Sequence, residues 1–408
     1  MRILSATGLF PPDIGGPATY SKLLSRELPL RGVDIEVLAF SEVRHLPKLI
    51  RHCAYFFKAL LRGRRADVIY AQDPVSVGLP ALLAAKVLGK KFLLRVAGDY
   101  AWEQGVQRFG VRASLDDFQS LPLRHPVVNL LRRIERAVAR RARRIIVPSR
   151  YLQKIIVSWG VTYDRVSVVH NVFEGEIPTE SKDVLRQKLS IATPSIVSVG
   201  RLVSWKGFRE LIAAMPAVLK NGEAHLYLIG DGPLRTELEA LIKDKGLERH
   251  VSLLGRLPQA VMHNYVRAAD VFVLNSSYEG FSHQLLEVMA METPIVASDI
   301  PGNREVIKHN ENGLLISLEH PAALVEAITT LFANRDHRDS NTKFLDRSYR
   351  RPFPAALDIC QKNARAHTRH LWTYRSGIHR PPLPACAFAT DRSYPWRAAY
   401  PTDHPIPP

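Results

Sequence analysis

The sequence predicts an α/β protein of two doubly wound domains facing each other across a cleft, on three observations. Short β-branched runs alternate with helical stretches through residues 1–175: "RILSAT", "DIEVLAF", "DVIYAQ", "KFLLRV", "RIIVPS" and "RVSVVH". Strands alternating with helices make βαβ units and a parallel sheet. After an acidic, proline-containing joint near "NVFEGEIPTESKD" the pattern starts again through residues 176–333, with "SIVSVG", "HLYLIG", "VSLLG", "DVFVLN", "PIVAS" and "GLLI". The length of 408 residues also exceeds the size at which one hydrophobic core stops growing. Ligands of open parallel sheets sit outside the carboxyl ends of the strands, so two such sheets face to face share one cleft. The residues just after each strand therefore matter most.

Composition narrows the class. Hydrophobic residues make up 46% and charged residues 23%, as in an ordinary globular protein, which excludes fibrous and disordered classes. Cys53, Cys360 and Cys386 share neither metal-ligand spacing nor a paired framework, which suits a reducing, cytoplasmic setting. The apolar run of "MRILSATGLF" is too short for a secretory signal and reads as a first buried strand. No uncharged run of 18 apolar residues is present to span a membrane. The net charge of +17 is uneven: residues 1–175 carry 28 Lys and Arg against 14 Asp and Glu, or +14, residues 176–333 carry −4, and the rest +7. A basic first half attracts nucleic acid, anionic lipid or phosphorylated substrates, and charge alone does not choose among them.

From Asn334 to Pro408 the texture changes to ten prolines, no valine and no glutamate, without a sustained period. This composition predicts a mostly disordered tail, foreign to the second domain, of the kind produced when codons are read one base out of step.

Four segments at strand ends carry suitable chemistry. In "PPDIGGPATYS", Gly15 and Gly16 follow the first strand; they make a turn or a loop that approaches a phosphate, and no dinucleotide glycine pattern or Walker lysine decides between the two. In "GRLVSWKG", Arg201 and Lys206 form a solvated face or, pointing into the cleft, a diphosphate clamp of one guanidinium fork and one point charge. In "LLGRLP", the backbone around Leu257 can hold a flat base. The fourth is "EGFSHQLLE". Here Ser282 is an N-cap and Leu285, Leu286, Val288 and Met289 bury one helical face, which leaves Glu279 and Glu287 as ordinary surface acids or as ligand-holding ones. A helix start at Ser282 offers unpaired N–H groups to a phosphate. Glu279 just before it is then a holder of sugar hydroxyls, and Glu287, further along the helix, a partner for a ribose.

Order and spacing of these segments resemble the retaining glycosyltransferases called family 4, of the GT-B class, the group that includes bacterial mannosyl- and glucosyltransferases. The likeness covers roughly residues 1–333 and rests on the Gly-Gly loop, "VGRLVSWKG", "LIGDGP", "LLGRLP", "VLNSSYEGFSHQLLEVMAMETPIVASDIPGNREVI" and "ENGLLI". It implies two Rossmann-like domains, an acceptor-side one at 1–175 and a nucleotide-sugar-binding one at 176–333, followed by a helix that crosses back onto the first. It also implies that Arg201 and Lys206 bind the donor diphosphate, Glu279 the transferred sugar, Glu287 the ribose and Leu257 the base, with the amides of Phe281, Ser282 and His283 lining the sugar and phosphate pocket. Many relatives carry a His-Asp pair after the fourth strand of the first domain. Here "RVAGDYAWE" places Gly98 where that histidine would be and leaves Asp99 as the catalytic-site candidate.

The expected activity is metal-independent hexosyl transfer from a nucleotide-diphosphate sugar, with no cofactor, to a glycan or polyprenyl-linked acceptor in cell-envelope polysaccharide synthesis. Positive charge from Arg201, Lys206 and the Ser282 helix end stabilises the leaving diphosphate, and no Asp-x-Asp pair occurs in the chain to hold a metal. Three other readings compete. A two-step glycosidase would use the glutamates as acid and nucleophile but has no use for the cations. A phosphorylase or epimerase could share the two-domain plan. A basic nucleic-acid- or membrane-binding protein is prompted by "RRIERAVARRARR" (Arg132 to Arg144), which lacks interleaved aromatics for base stacking. The stretch Leu46 to Arg65 carries an apolar stripe of Leu49, Ile50, Cys53, Phe56, Phe57, Leu60 and Leu61 edged with cations. It predicts packing on the core or a peripheral seat on an anionic membrane, and no nucleic-acid partner.

Overall fold

The computed structural model describes residues 1–333 apart from residues 14, 123, 124 and 174, and the expectations for the tail and the crossing helix lie outside the described residues. All twelve expected strands form. The first six are β1 (Arg2–Thr7), β2 (Asp34–Ala39), β3 (Val68–Ala71), β4 (Lys91–Arg95), β5 (Arg144–Val147) and β6 (Val166–Val168). The second six are β7 (Ser195–Val199), β8 (His225–Ile229), β9 (Val251–Gly255), β10 (Val271–Leu274), β11 (Ile295–Ser298) and β12 (Leu314–Ile316). They make two six-stranded sheets, ordered β2-β1-β3-β4-β5-β6 and β12-β11-β10-β7-β8-β9, with every paired strand parallel.

Both faces of each sheet are buried, which is why the strands read as continuous apolar runs rather than as an alternation. In the first sheet, Leu4, Ile69, Leu94 and Ile145 pack on one side with Tyr55, Val77, Val138 and Trp159. Their neighbours Ile3, Val68, Leu93 and Ile146 pack on the other with Tyr20, Leu23 and Leu24. The second sheet divides likewise, Leu226, Val271 and Val273 to one core and Val197, Phe272 and Leu274 to the other. Each such side chain contributes about 1.5–3 kcal/mol by leaving water.

Strand order fixes where a ligand can sit. In the second sheet the chain winds outward from β7 through β8 to β9, then returns and winds the other way from β10. The crevice at such a reversal lies beyond the carboxyl ends of β7 and β10, between the segments that carry Arg201 and Lys206 and those that carry Glu279. In the first sheet the reversal falls beside β1, beneath the Gly15–Gly16 loop.

The two halves meet at these ends. Trp102 of the first half packs edge-on against Tyr278 at 4.7 Å and lies 5.5 Å from Trp205. Asn171 Nδ2 donates to the Phe281 carbonyl at 3.4 Å. The carboxylate of Glu305 accepts from the amides of Arg150 and Tyr151 at 2.9 and 2.7 Å, capping the first-half helix Arg150–Ser158 from the second half. The helix Lys182–Lys188 already belongs with the second half, where Lys182 and Arg186 pair with Asp270 at 2.9 and 2.7 Å.

Candidate active site

The strand end of β7 turns through Gly200 into a single turn, Ser204–Lys206, while β10 runs on through Asn275 to Glu279. This brings Lys206 Nζ to 2.6 Å from Glu279 Oε1, with both side chains mostly shielded, at 16% and 11% exposure. An ion pair in that setting is held in one geometry, because loss of either partner would leave the other charge buried and unpaired. Arg201 is exposed at the same strand end, close enough that its charge acts on Glu103 of the first half. The helix His283–Ala290 starts one turn beyond Glu279, and the Ser282 hydroxyl accepts from the Leu285 amide at 3.4 Å, the expected N-cap. Leu285, Leu286, Val288 and Met289 are buried as the periodicity requires.

Glu287 lies on that helix away from any counter-charge, and burial pushes its carboxyl up to about 7. Leu257 sits partly buried against the apolar layer of Phe272 and Leu286. The Gly15–Gly16 loop reaches across to the same helix, and a Cβ on Gly16 would stand 2.9 Å from His283 Cδ2. Only a glycine there lets the loop close on the helix start. His283 is half-buried, and its desolvation together with the Arg95 charge holds its imidazole down at about 3, so it is neutral at ordinary pH. Arg95 is itself 2% exposed, stacks over Tyr20 at 3.7 Å and donates to Asn171 Oδ1 at 2.9 Å. Neither role was legible in the sequence, since an arginine ending a β-strand carries no motif.

Asp99 lies just after β4, where the sequence placed it, and is bound into the first half's own structure. It caps the helix Tyr100–Arg108, with Oδ1 accepting from the Trp102 amide at 2.8 Å and Oδ2 from Gln119 Nε2 at 2.9 Å, and is 1% exposed. A carboxylate with both oxygens so committed positions a helix. The carboxylate that the first half turns toward the cluster is Glu103, one turn along the same helix. Its Oε1 lies 2.5 Å from the position a Cβ would take on Gly98, so the glycine's missing side chain is the space Glu103 fills. Burial and the Asp99 and Glu279 charges push its carboxyl up to about 7, against the pull of Arg201 and Lys206. The signal was present as the "E" of "GDYAWE", four residues after the cap, but nothing marked its direction.

The arginine-rich helix Pro126–Arg141 spends much of its charge internally: Arg132 donates to the carbonyls of Phe118 and Leu121, Arg136 to that of Gln119 and Arg140 to that of Trp159. Its Glu135 is fully buried and accepts from the Ala101 amide at 3.1 Å, beneath the Asp99 cap.

Comparison with known proteins agrees with this architecture. A model of glycosyl transferases group 1 matches residues 181–344, and a model of the glycosyl transferase 4-like domain matches residues 31–172. An uncharacterised glycosyltransferase of Methanocaldococcus jannaschii is 30% identical over 203 residues, covering 48% of this chain and 52% of its own. The lipopolysaccharide core biosynthesis glycosyltransferase LpsE of Rhizobium meliloti is 33% identical over 145 residues, covering 36% and 41%. The amylovoran biosynthesis glycosyltransferase AmsK of Erwinia amylovora is 33% identical over 175 residues, covering 41% and 42%. The chain thus spans about half the length, or less, of the curated relatives it matches. Among solved structures, Anabaena HepE in complex with UDP and glucose superposes with a TM-score of 0.68 at 19% identity, over 91% of this chain and 100% of that one. Sucrose-phosphate synthase of Thermosynechococcus elongatus does so at 0.71 and 19%, over 91% and 99%. The chain belongs to the GT-B glycosyltransferases, with a family 4-like first half and a group 1 second half, as its motifs indicated.

Proposed function

We propose that the protein transfers a hexose, with retention, from a nucleotide-diphosphate sugar to a glycan or polyprenyl-linked acceptor in cell-envelope polysaccharide synthesis. The observation that carries this reading is the shielded Lys206–Glu279 pair at the strand reversal, one turn before a capped helix start. Lys206, Arg201 and the N–H groups after Gly280 set positive potential where a diphosphate leaves, and Glu279 accepts from hydroxyls of the sugar attached to it. Glu287 meets the ribose and Leu257 the base. The hydroxyl of the acceptor attacks the face from which the diphosphate departs, and a departing phosphate oxygen takes its proton. The protein's own cations neutralise the leaving group, so the reaction needs no divalent metal. The relatives named for lipopolysaccharide core and amylovoran synthesis support the process. A thermal-shift panel of UDP-, GDP- and ADP-sugars tests it: stabilisation by one donor and its nucleoside diphosphate is expected, and no response to any would overturn the reading.

The acceptor side favours a membrane surface. On the helix Lys48–Gly63, Tyr55 and Ala59 face the core, while Ile50, Phe57 and Leu61 are 56%, 64% and 66% exposed on the outward side with Cys53. Lys48, Arg64 and Arg65 flank that stripe in solvent. Apolar side chains edged by cations suit the boundary of an anionic bilayer, and no helix among the described residues is long and apolar enough to cross one. Cosedimentation with vesicles containing phosphatidylglycerol should fall with salt and on Phe57→Ser; salt-independent or absent sedimentation would favour a soluble acceptor.

A further inference from the structure

Glu103 and Tyr278 come from different halves and converge on one point. Glu103 Oε1 and Tyr278 Oη lie 2.5 and 3.2 Å from the position of a Cβ on Gly98, so the space above that glycine is lined by a carboxylate and a phenol. Tyr278 is 7% exposed, and its hydroxyl is buried without a hydrogen-bond partner. A buried hydroxyl left so is destabilising, and a ligand's polar group arriving there removes that cost. Glu103 is also the carboxyl through which the first half acts on the charges of Arg201, Lys206 and Glu279. Two groups able to hold one hydroxyl, beside the pair that holds the donor, are placed where the second substrate must enter.

We propose that Glu103 receives the attacking hydroxyl: its ionised carboxylate, above Gly98 and opposite the Tyr278 phenol, accepts a hydrogen bond from the acceptor hydroxyl, or from water when no acceptor is present. This rests on the transfer reading given above. The bond from the anomeric carbon to the diphosphate oxygen breaks with its electron pair leaving on the diphosphate, and the hydroxyl oxygen forms the new bond. The hydroxyl proton, held by Glu103, is relayed through that carboxylate to a phosphate oxygen. Glu103 neither gains nor loses a proton overall; it aims the oxygen lone pair at the anomeric carbon, and Tyr278 donates to the same oxygen. Protonated Glu103 cannot do this as well, so activity should rise with pH through about 7 and level off above. The groups facing Glu103 are Asp99 on its own helix, Glu135 and Arg136 behind that cap, and Arg201, Lys206, Tyr278 and Glu279 from the second half.

The test uses the full chain with UDP-glucose and GDP-mannose, reading release of nucleoside diphosphate without acceptor from about pH 5.5 to 8.5, and UDP and GDP binding by calorimetry. The wild type should gain about tenfold per pH unit below its break. Glu103→Gln should lose about tenfold or more above the break and run flat, with nucleoside diphosphate affinity within about twofold of wild type; Glu103→Asp should recover part of the rate and the break. Gly98→Ala, whose methyl takes the carboxylate's place, should behave like Glu103→Gln. A break that persists in Glu103→Gln would assign the titration to Glu287 and overturn the proposal. A raised donor KM at unchanged kcat would make Glu103 a sugar-binding residue and overturn it too. Failure of the wild type to bind either nucleotide would instead strike the transfer reading.

Discussion

The two sheets share a topology class but treat charge at their strand ends in opposite ways. In the second half the strand-end carboxylate is paired: Glu279 meets Lys206 at 2.6 Å, with Arg201 exposed at the end of β7. In the first half the corresponding carboxyls are buried or half-buried, and none of Asp73, Asp99, Glu103 and Glu135 forms an ion pair among the described residues. Burial lifts Asp73, after β3, to about 6 even though it accepts from the amides of Val75, Ser76 and Val77. Asp99 is raised by burial, Glu135 well above its usual range, and Glu103 to about 7. The more basic half, at +14, thus spends many of its arginines on the surface and on carbonyls, Arg95 at the end of β4 being a buried exception, while acids follow its strands. Charge totals say what a surface attracts; local desolvation says what a site can do. One half fixes an ammonium and a carboxylate in one geometry, the other presents groups whose protonation changes near neutrality.

The largest effect expected from that contrast is at the paired site. Lys206→Ala and Glu279→Ala should each reduce kcat several-hundredfold, or about 3–4 kcal/mol of transition-state stabilisation, with circular dichroism unchanged. The double variant should lose much less than the product of the two, because each single change already breaks the shared pair. Near wild-type turnover in either single variant would remove the distinction between the halves.

A smaller effect should appear where the halves are joined. Glu305→Ala deletes the acceptor for the Arg150 and Tyr151 amides and should cost about 1–2 kcal/mol, read as a lowered denaturation midpoint. Burial works against ionisation of Glu305, but the His170 contact and these two amides outweigh it and hold the carboxyl below its usual value. Its contribution is thus present above the unfolded pKa of about 4.3 and is lost as pH falls through the lower folded value. Wild type and Glu305→Ala should converge in stability below that value, and a gap that stays constant from about pH 7 to 3 would refute the assignment.

The smallest effect is expected from metal removal. With Lys206 and Arg201 supplying the charge, excess chelator should change turnover by less than about twofold, and a strict requirement for added magnesium or manganese would show that the second half's cations do not suffice.

Much of this was readable in advance, and the reasons differ by element. The twelve strands were legible because both faces of each sheet are buried, so every strand is a short apolar run between turn signals. The paired site was legible because its members lie in two compact segments, "GRLVSWKG" and "EGFSHQLLE", at strand ends that topology brings together. Glu103 was not legible, since its direction depends on the missing side chain of Gly98 and on a helix cap supplied by Asp99. Nor were Arg95 and His283, whose partners Tyr20, Asn171 and Gly16 lie far off in the chain.

By itself, then, the sequence determined the class of fold, the place of the cleft and the two segments that meet at the second half's strand ends, because periodicity and strand-end chemistry are local properties of the chain. Only the tertiary structure decided which acids are paired, which are caps and which are left to titrate. Ionisation depends on burial and on charges within a few ångströms, and those neighbours are set by packing across the two halves rather than along the chain.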